Sequence, residues 1–299
     1  MPDTPTVSVV IPAYNAAWCV CKAIDSVLAQ DYGDFEVIVV NDGSTDDTVA
    51  RLSPYGDAIR VVHQTNRGLS AARNAGIRTS RGKFIAFLDA DDWWLPAKLG
   101  RQVALLRDRP ELGFCSTAAL VQGPAGDLVN VWACPNWEGP FLAHLFANNA
   151  SVAGSGSAVM VRRDKFAEIG HFDESLHSLE DIDMWMRLAA VAGYACLAEP
   201  LVVILKRPGS MSRNLDIMRA AAMLVMNKNR HLLPCALQNR FWRQCLASVH
   251  GDYAKWRYRE GDRWGALKET IALLRLAPIA RGRLAAGLLL DIALRRPLS

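Results

Sequence analysis

The sequence has no uncharged apolar run of about 18 residues anywhere in its 299, so no membrane-spanning helix is expected. It has no basic segment leading into an apolar run near its start, so no secretory signal is read. Cysteine is sparse and odd in number, at seven. An odd count excludes a complete disulfide framework, and the absence of paired CxxC spacing excludes a zinc finger. Reduced thiols in a cytosolic protein are the expectation. The six histidines show no HExxH or other ligand spacing, which argues against a histidine metal site. The charge excess is small, 34 − 30 = +4. That is too little to mark a nucleic-acid binder, though it suits an anionic small molecule or a membrane surface. Repeats and low-complexity segments are absent. What remains is an ordinary globular composition, 51% hydrophobic and 21% charged, long enough for one large domain or two modest ones.

The first third alternates strands and helices. Val7 to Ile11 is a β-branched run stopped by Pro12, and Ala16 to Gln30 reads as a helix. Phe35 to Val40 is a second strand, ending in the turn signal Asn41-Asp42-Gly43-Ser44. A helix capped by Ser44 or Thr45 follows, through Leu52. Then come a strand at Ile59 to His63, a helix at Gly68 to Ile77 and a wholly apolar strand at Phe84 to Leu88. This pattern predicts an α/β domain, a mostly parallel sheet with helices on both faces. From 110 to 205 the reading is mixed: strands at Phe114 to Val121, Ser157 to Arg162 and Ala195 to Leu205, with a helix at Leu179 to Ala192. From 216 onward it is helical, punctuated by Pro234 and Pro278.

Ligands of parallel sheets sit at the carboxyl ends of the strands, and Asn15, Asp42 and Asp89-Ala90-Asp91-Asp92 fall there. Carboxylates crowded after an apolar strand raise one another's pKa unless a cation joins them. Mg²⁺ or Mn²⁺ would serve, taking one or two carboxylates plus substrate phosphates. Asp-x-Asp sets two carboxylates on one side of an extended segment, one for the metal and one for a ribose hydroxyl. The plain alternative is a solvated loop, or a cap for a helix starting near Trp93. Asp42 can accept from a nucleobase imide or a sugar hydroxyl, or serve only the turn, while Asp46 and Asp47 favour the next helix N-terminus. Glu180-Asp181-Ile182-Asp183 opens an amphipathic helix, where the carboxylates are caps or one is a general base for an acceptor hydroxyl. Ile182, Trp185 and Leu188 fall at core spacing, and Arg187 reads as half of an ordinary surface pair.

Arg67 and Arg73, in the small-residue segment Asn66 to Gly76, face a phosphate or base or are helix-face cations. Gly154-Ser155-Gly156-Ser157 reads as a flexible loop that lines an acceptor pocket or nothing. Lys206 to Arg213 reads as a basic flap over a diphosphate or a plain basic loop. Trp93, Trp94, Trp132 and Trp137 suit core or rim better than a sugar platform.

Taken in order, VSVVIPAYN, EVIVVNDGSTDDT, NRGLSAARNAG with FIAFLDADD, and EDIDMWMRL resemble the blocks of family-2 glycosyltransferases over about residues 5–213. The resemblance implies a GT-A kind of fold. Its catalytic domain would span 1–213, with a nucleotide-binding half of about 1–110 and an acceptor half of about 111–213, before a helical C-terminal region at 214–299. It implies a metal-dependent, inverting transfer from a nucleotide-diphosphate sugar, a UDP-sugar by preference. The acceptor would be a hydroxyl of a glycan or a lipid-linked molecule, in surface polysaccharide or glycolipid assembly. Carried over residue by residue, Pro12, Ala13, Tyr14 and Asn15 border the nucleobase and Asp42 binds it. Arg73 lies near base or phosphates, Asp89 and Ala90 belong to the ribose end of the donor site, and Asp91 holds Mg²⁺ or Mn²⁺. Asp181 is the base, with Glu180 the second choice. Similar proteins often carry a histidine in the flap, where Lys206 and Arg207 stand here. That leaves the flap's metal contact open, although a guanidinium could hold phosphate directly.

The stretch from Arg281 to Arg296 is apolar with basic flanks. It suits a membrane interface near a lipid-linked acceptor, or a helical subdomain packed on the catalytic core. The implied setting is cytoplasmic, peripheral at the inner face of the membrane if these helices bind it. Two other functions compete. A nucleotidyltransferase would carry a Gly-rich, basic N-terminal signature, which VSVVIPAYN lacks. An inactive sugar-nucleotide-binding scaffold is opposed by the presence of Asp42, Asp89, Asp91 and Asp181.

Overall fold

The computed structural model describes residues 4–148, 152–207 and 214–294. The chain forms two compact units, residues 1–137 with 150–208, and residues 138–149 with 209–299.

The first unit holds a nine-stranded sheet. Its elements begin β1 (Val7–Ala13), α1 (Val20–Leu28), β2 (Phe35–Asp42), α2 (Thr48–Leu52), β3 (Arg60–Gln64), α3 (Leu69–Thr79), β4 (Phe84–Phe87) and β5 (Trp93–Trp94). They continue with α4 (Lys98–Asp108), β6 (Leu112–Gln122) and β7 (Leu128–Trp132). Helix α5 (Phe141–Ala147) belongs to the other unit, and α6 (Ser155–Ala158), β8 (Met160–Arg162), α7 (Lys165–Ile169), α8 (Glu180–Val191) and β9 (Gly193–Leu205) complete the first. The strand order is β3-β2-β1-β4-β8-β6-β9-β5, with β7 beside β6. The expected α/β class is correct, with the sheet mixed: β3, β2, β1 and β4 run parallel, and β8 joins antiparallel.

Period-two alternation explains the packing on β1. Val7, Val9, Ile11 and Ala13 bury into one cluster with Val20, Ala23, Ile24 and Val27 of α1. Val10 faces the other way, toward α3, where a Cβ on Gly76 would lie 2.2 Å from its Cγ1. Glycine at 76 therefore sets how closely α3 approaches the sheet. Pro12 does not stop β1 as expected. Val10 offers its carbonyl to Leu88 on the β4 side, so Pro12, two residues on, turns its nitrogen to that side. The pairing with β4 has ended at Val10, and the missing N–H costs no ladder bond.

The expected helix start near Trp93 is not found: Trp93–Trp94 pair antiparallel with β9, and α4 begins at Lys98. The expected loop at Gly154 to Ser157 is instead the short turn α6. The expectation of reduced thiols is corrected at one pair. Cys134 and Cys196, 62 residues apart in sequence, form a disulfide with Cα atoms 5.7 Å apart, within bridging range. Strand β6 pairs with both β7 and β9, so the chain after β7 returns beside β9. Cysteine spacing carries no record of that strand order. The other five cysteines are free.

The second unit adds α9 (Leu215–Asn229), α10 (Arg240–Arg259), α11 (Arg263–Leu276) and α12 (Gly282–Leu294). Asn214 and Asp262 cap α9 and α11 with their side chains. Ala247, Leu273, Ala277 and Ala285 form a small core, and buried Glu269 accepts from His250 at 2.6 Å and pairs with Arg219. Among the described residues no helix is long and apolar enough to cross a membrane.

Candidate active site

Topology gathers the polar residues at one edge of the sheet. The parallel register ends β1 at Ala13 opposite Asn41, β2 at Asp42 opposite Gln64, and β4 at Phe87. Antiparallel β8 begins where β4 ends, Met160 against Ala86, which brings the preceding turn α6 to Asp89. Strand β6 is antiparallel to β8 and parallel to β9. Strand β9 therefore finishes at the same edge, and Leu205 N donates to Asp92 there at 3.0 Å. Helix α8, packed back along β6 before β9, starts there.

The carboxylates after β4 diverge. Asp89 accepts from Arg73 at 2.7 Å, and Asp91 accepts from Arg207 at 2.7 Å. Asp92 is buried, bonded to Ser157 Oγ and Leu205 N. Burial and the neighbouring Asp89 and Asp91 hold its carboxyl well above the usual range. Arg73 and Arg207 thus each offset one of these carboxylates from within the chain. Arg207 also lies 4.4 Å from the centre of the Trp18 ring. The rest of the expected flap, Pro208 to Arg213, lies outside the described residues.

Arg73 is only 2% exposed and fixes the centre of the site. One guanidinium nitrogen donates to Glu180 and the other to Asp89, each at 2.7 Å. A Cβ on Gly156 would lie 2.7 Å from that second nitrogen, so glycine there makes room for the arginine. Burial alone would lower the Arg73 pKa, but Asp89, Glu180 and Asp181 outweigh it and the net shift is upward.

Asp181 is half-buried beside Glu180, accepting from Ile182 N at 2.8 Å and from Ser155 Oγ. Burial, reinforced by the Glu180 carboxylate and opposed by Arg73, raises its carboxyl to about 7. Asn15, Ser155 and Leu179 are the non-glycine residues with positive φ among the described residues, and all three stand in this site's loops. Left-handed backbone costs about 1–3 kcal/mol per residue and gathers at functional sites.

Asp42 is buried and accepts from Gln64, Arg67 N and Gly68 N at 2.7–2.9 Å. Asn15 donates its N–H to Ser44 and accepts from Thr45 N, tying the first two strand-end loops together, while Tyr14 beside it is 51% exposed. Pro12 and Ala13 are buried within β1, and Ala90 is half-buried after Asp89. Arg67 is exposed and pairs with Glu174. Trp185 is packed in the core as expected. Arg187 corrects its expectation: its partner Asp183 is fully buried, and Arg187 also donates to the carbonyls of Ile169 and His171.

Ser155, Ser157 and Trp18 join the site, although the sequence singles out none of them individually, while Trp94 is buried as its core reading expects. Ser157 pins the whole β4–β5 connection, since it accepts from Asp89 N, donates to Asp92, and offers its carbonyl to Trp94 Nε1. The Gly-Ser-Gly-Ser run was the available signal, but not its direction.

Among the described residues, no three His, Cys, Asp or Glu side chains converge as a metal cage. Asp91 nevertheless suits the other mode, in which one or two carboxylates bind Mg²⁺ or Mn²⁺ and phosphates complete the shell. Its carboxylate is half-buried and lines a cavity of about 230 Å³ with Trp18, Lys22 and Trp93.

Residues 8–170 match the family described as glycosyl transferase family 2. An uncharacterised glycosyltransferase of Rickettsia bellii is 35% identical over 204 residues, covering 63% of this chain and 28% of that one. One from Rickettsia prowazekii is 34% identical, covering 63% and 60%. The chain thus spans between about a quarter and three-fifths of these relatives' lengths. Among solved structures, Staphylococcus aureus TarS 1–349 with UDP-GlcNAc superposes with TM-score 0.68 at 19% identity, covering 91% of this chain and 81% of that one. The mannosyltransferase PcManGT of Pyrobaculum calidifontis, with GDP-Man and Mn²⁺, superposes with TM-score 0.62 at 20% identity, covering 97% and 81%. These structures share the fold, and the matched sequence shows that the chain belongs to glycosyl transferase family 2.

Proposed function

We propose that the chain transfers a sugar from a nucleotide-diphosphate sugar to an acceptor hydroxyl, inverting the anomeric carbon. The observation that carries this reading is the Arg73 bridge, which ties Asp89 at the end of β4 to Glu180 at the start of α8. It fixes the neighbours of Asp91 and Asp181, the two carboxylates the reaction needs, with one buried cation. The donors named with the solved neighbours, UDP-GlcNAc and GDP-Man, support this donor class, and a UDP-sugar is our first choice.

In this reading Pro12, Ala13, Tyr14, Asn15 and Asp42 border the base, Asp89 and Ala90 the ribose, and Arg207 a phosphate. Asp91 would hold Mg²⁺ or Mn²⁺ with the donor phosphates, and such an ion supplies Lewis-acid stabilisation of the leaving diphosphate. Asp181 accepts the acceptor's proton. As that oxygen bonds to the anomeric carbon, the bond to the diphosphate oxygen breaks on the opposite face, and one displacement inverts the centre. A carboxyl raised to about 7 suits this work, because a base matched to the working pH is both deprotonated and basic enough. Ser155 and Ile182 N orient it. The acceptor we propose is a glycan or a lipid-linked hydroxyl.

The test is nucleotide release from a panel of UDP- and GDP-sugars with Mn²⁺. Asp181→Asn is expected to bind donor as before and to lose about 10²- to 10⁴-fold in transfer. Near-normal turnover by that variant overturns the assignment.

A further inference from the structure

Helix α12 is apolar on both sides. Ala285 and Leu288 are buried, while Arg283 at its start and then Ala286, Gly287, Leu290, Ala293 and Leu294 face solvent, with Leu290 and Leu294 each 51% exposed. A surface helix normally carries polar residues on that face. The turn before it, Pro278-Ile279-Ala280, is also exposed, and Ile279 is 97% exposed. This turn walls a cavity of about 750 Å³ whose other side is the start of α10, with Arg240, Arg243 and Gln244. No carboxylate lines it. Residues 270–299 carry five arginines and one aspartate, 5 − 1 = +4, as much as the whole chain's formal excess.

We propose that this face docks on an anionic membrane surface. Ile279 and the outer side of α12 enter the headgroup boundary, and Arg240 and Arg243 hold a lipid phosphate in the cavity beside them. Charge complementarity selects the partner. An apolar face rimmed by arginine fits anionic lipid, whereas two copies joined through the same patch would bring their arginines together. Every residue of this surface belongs to the helical unit, so its docking stands apart from the sugar-transfer reading.

The experiment is flotation of the full chain with phosphatidylcholine vesicles, with and without phosphatidylglycerol. Partition is expected to be at least about tenfold higher on the anionic vesicles and to fall with salt. Arg240→Glu with Arg243→Glu should lower it about tenfold or more, since each basic side chain near such a surface adds to the attraction and each reversal turns it into repulsion. Ile279→Asp should lower it on the same vesicles, with an unchanged melting temperature because the position is exposed. Equal partition on both vesicles, no binding to either, or indifference to the charge reversal overturns the proposal. So does a lipid-free dimer that Ile279→Asp dissociates, which would make the face a contact between copies.

Discussion

Arg73 and Glu180 stand 107 residues apart in sequence and 2.7 Å apart in space. Both are buried. Removing one partner of a buried ion pair strands the other, at a cost of about 3–5 kcal/mol. Arg73→Ala should therefore lower the melting temperature sharply, and Arg73→Lys should recover only part of the loss, because an ammonium lacks the fork that reaches both Glu180 and Asp89. Unfolding followed by circular dichroism measures this. An Arg73→Ala variant as stable as the parent would show that the bridge holds nothing together.

Asp181 makes activity and stability pull in opposite directions. Its carboxyl is raised to about 7 from the 3.8 of an ordinary aspartate, so the folded state binds the proton more tightly than the unfolded chain. The stability this confers is full below pH 3.8 and disappears as pH rises through about 7. If Asp181 is the base we propose, transfer should rise over the same upper range, with an acid limb near pH 7. Asp181→Asn should raise the melting temperature at pH 8 relative to the parent, and the difference should narrow toward pH 4. The Glu180 carboxylate contributes to the upward shift, so Glu180→Gln should move the acid limb of the rate to lower pH. A parent profile flat between pH 5 and 8 contradicts the assignment.

Much of this arrangement is legible in the sequence. Apolar runs mark β1, β2 and β4, and each is followed by a polar residue that lies at the sheet's carboxyl end, Asn15, Asp42 and Asp89, because strand ends and turn residues are local signals. Partners across the sheet were not legible. That Arg73 would turn to Asp89 and Glu180, or Asp92 to Leu205 N, follows from β8 entering antiparallel and β9 finishing at the same end of the sheet as β4. That order is fixed by long-range packing. Pro12 misled for a related reason: whether a proline ends a strand depends on whether a neighbour needs its N–H, and here β4 has already left.

Asp91 separates donor binding with metal from donor binding without it. If Mn²⁺ joins the donor phosphates to this carboxylate, a UDP-sugar should raise the parent's melting temperature in Mn²⁺ and much less in EDTA. Binding at about a hundred times the dissociation constant adds about 2.7 kcal/mol, ample for a thermal-shift assay. Asp91→Ala should give the same small shift in both buffers. A variant that still responds to Mn²⁺ as the parent does would move the metal away from Asp91.

The Cys134–Cys196 bridge closes a segment of 62 residues that carries α6, β8 and α8, and with them Ser155, Ser157, Glu180 and Asp181. A link over such a loop typically contributes about 2–4 kcal/mol, so reduction or Cys134→Ser should lower the melting temperature of the unit that holds the sheet. The site should loosen with it, since Ser155 and Asp181 lie within the closed segment while Asp91 lies outside it. Alkylation of the unfolded, unreduced chain should label the five free cysteines, and reduction should expose two more. Labelling of all seven without reductant would mean that the pair is not bridged, and strand β9 would then owe its order to its pairing with β6 and β5.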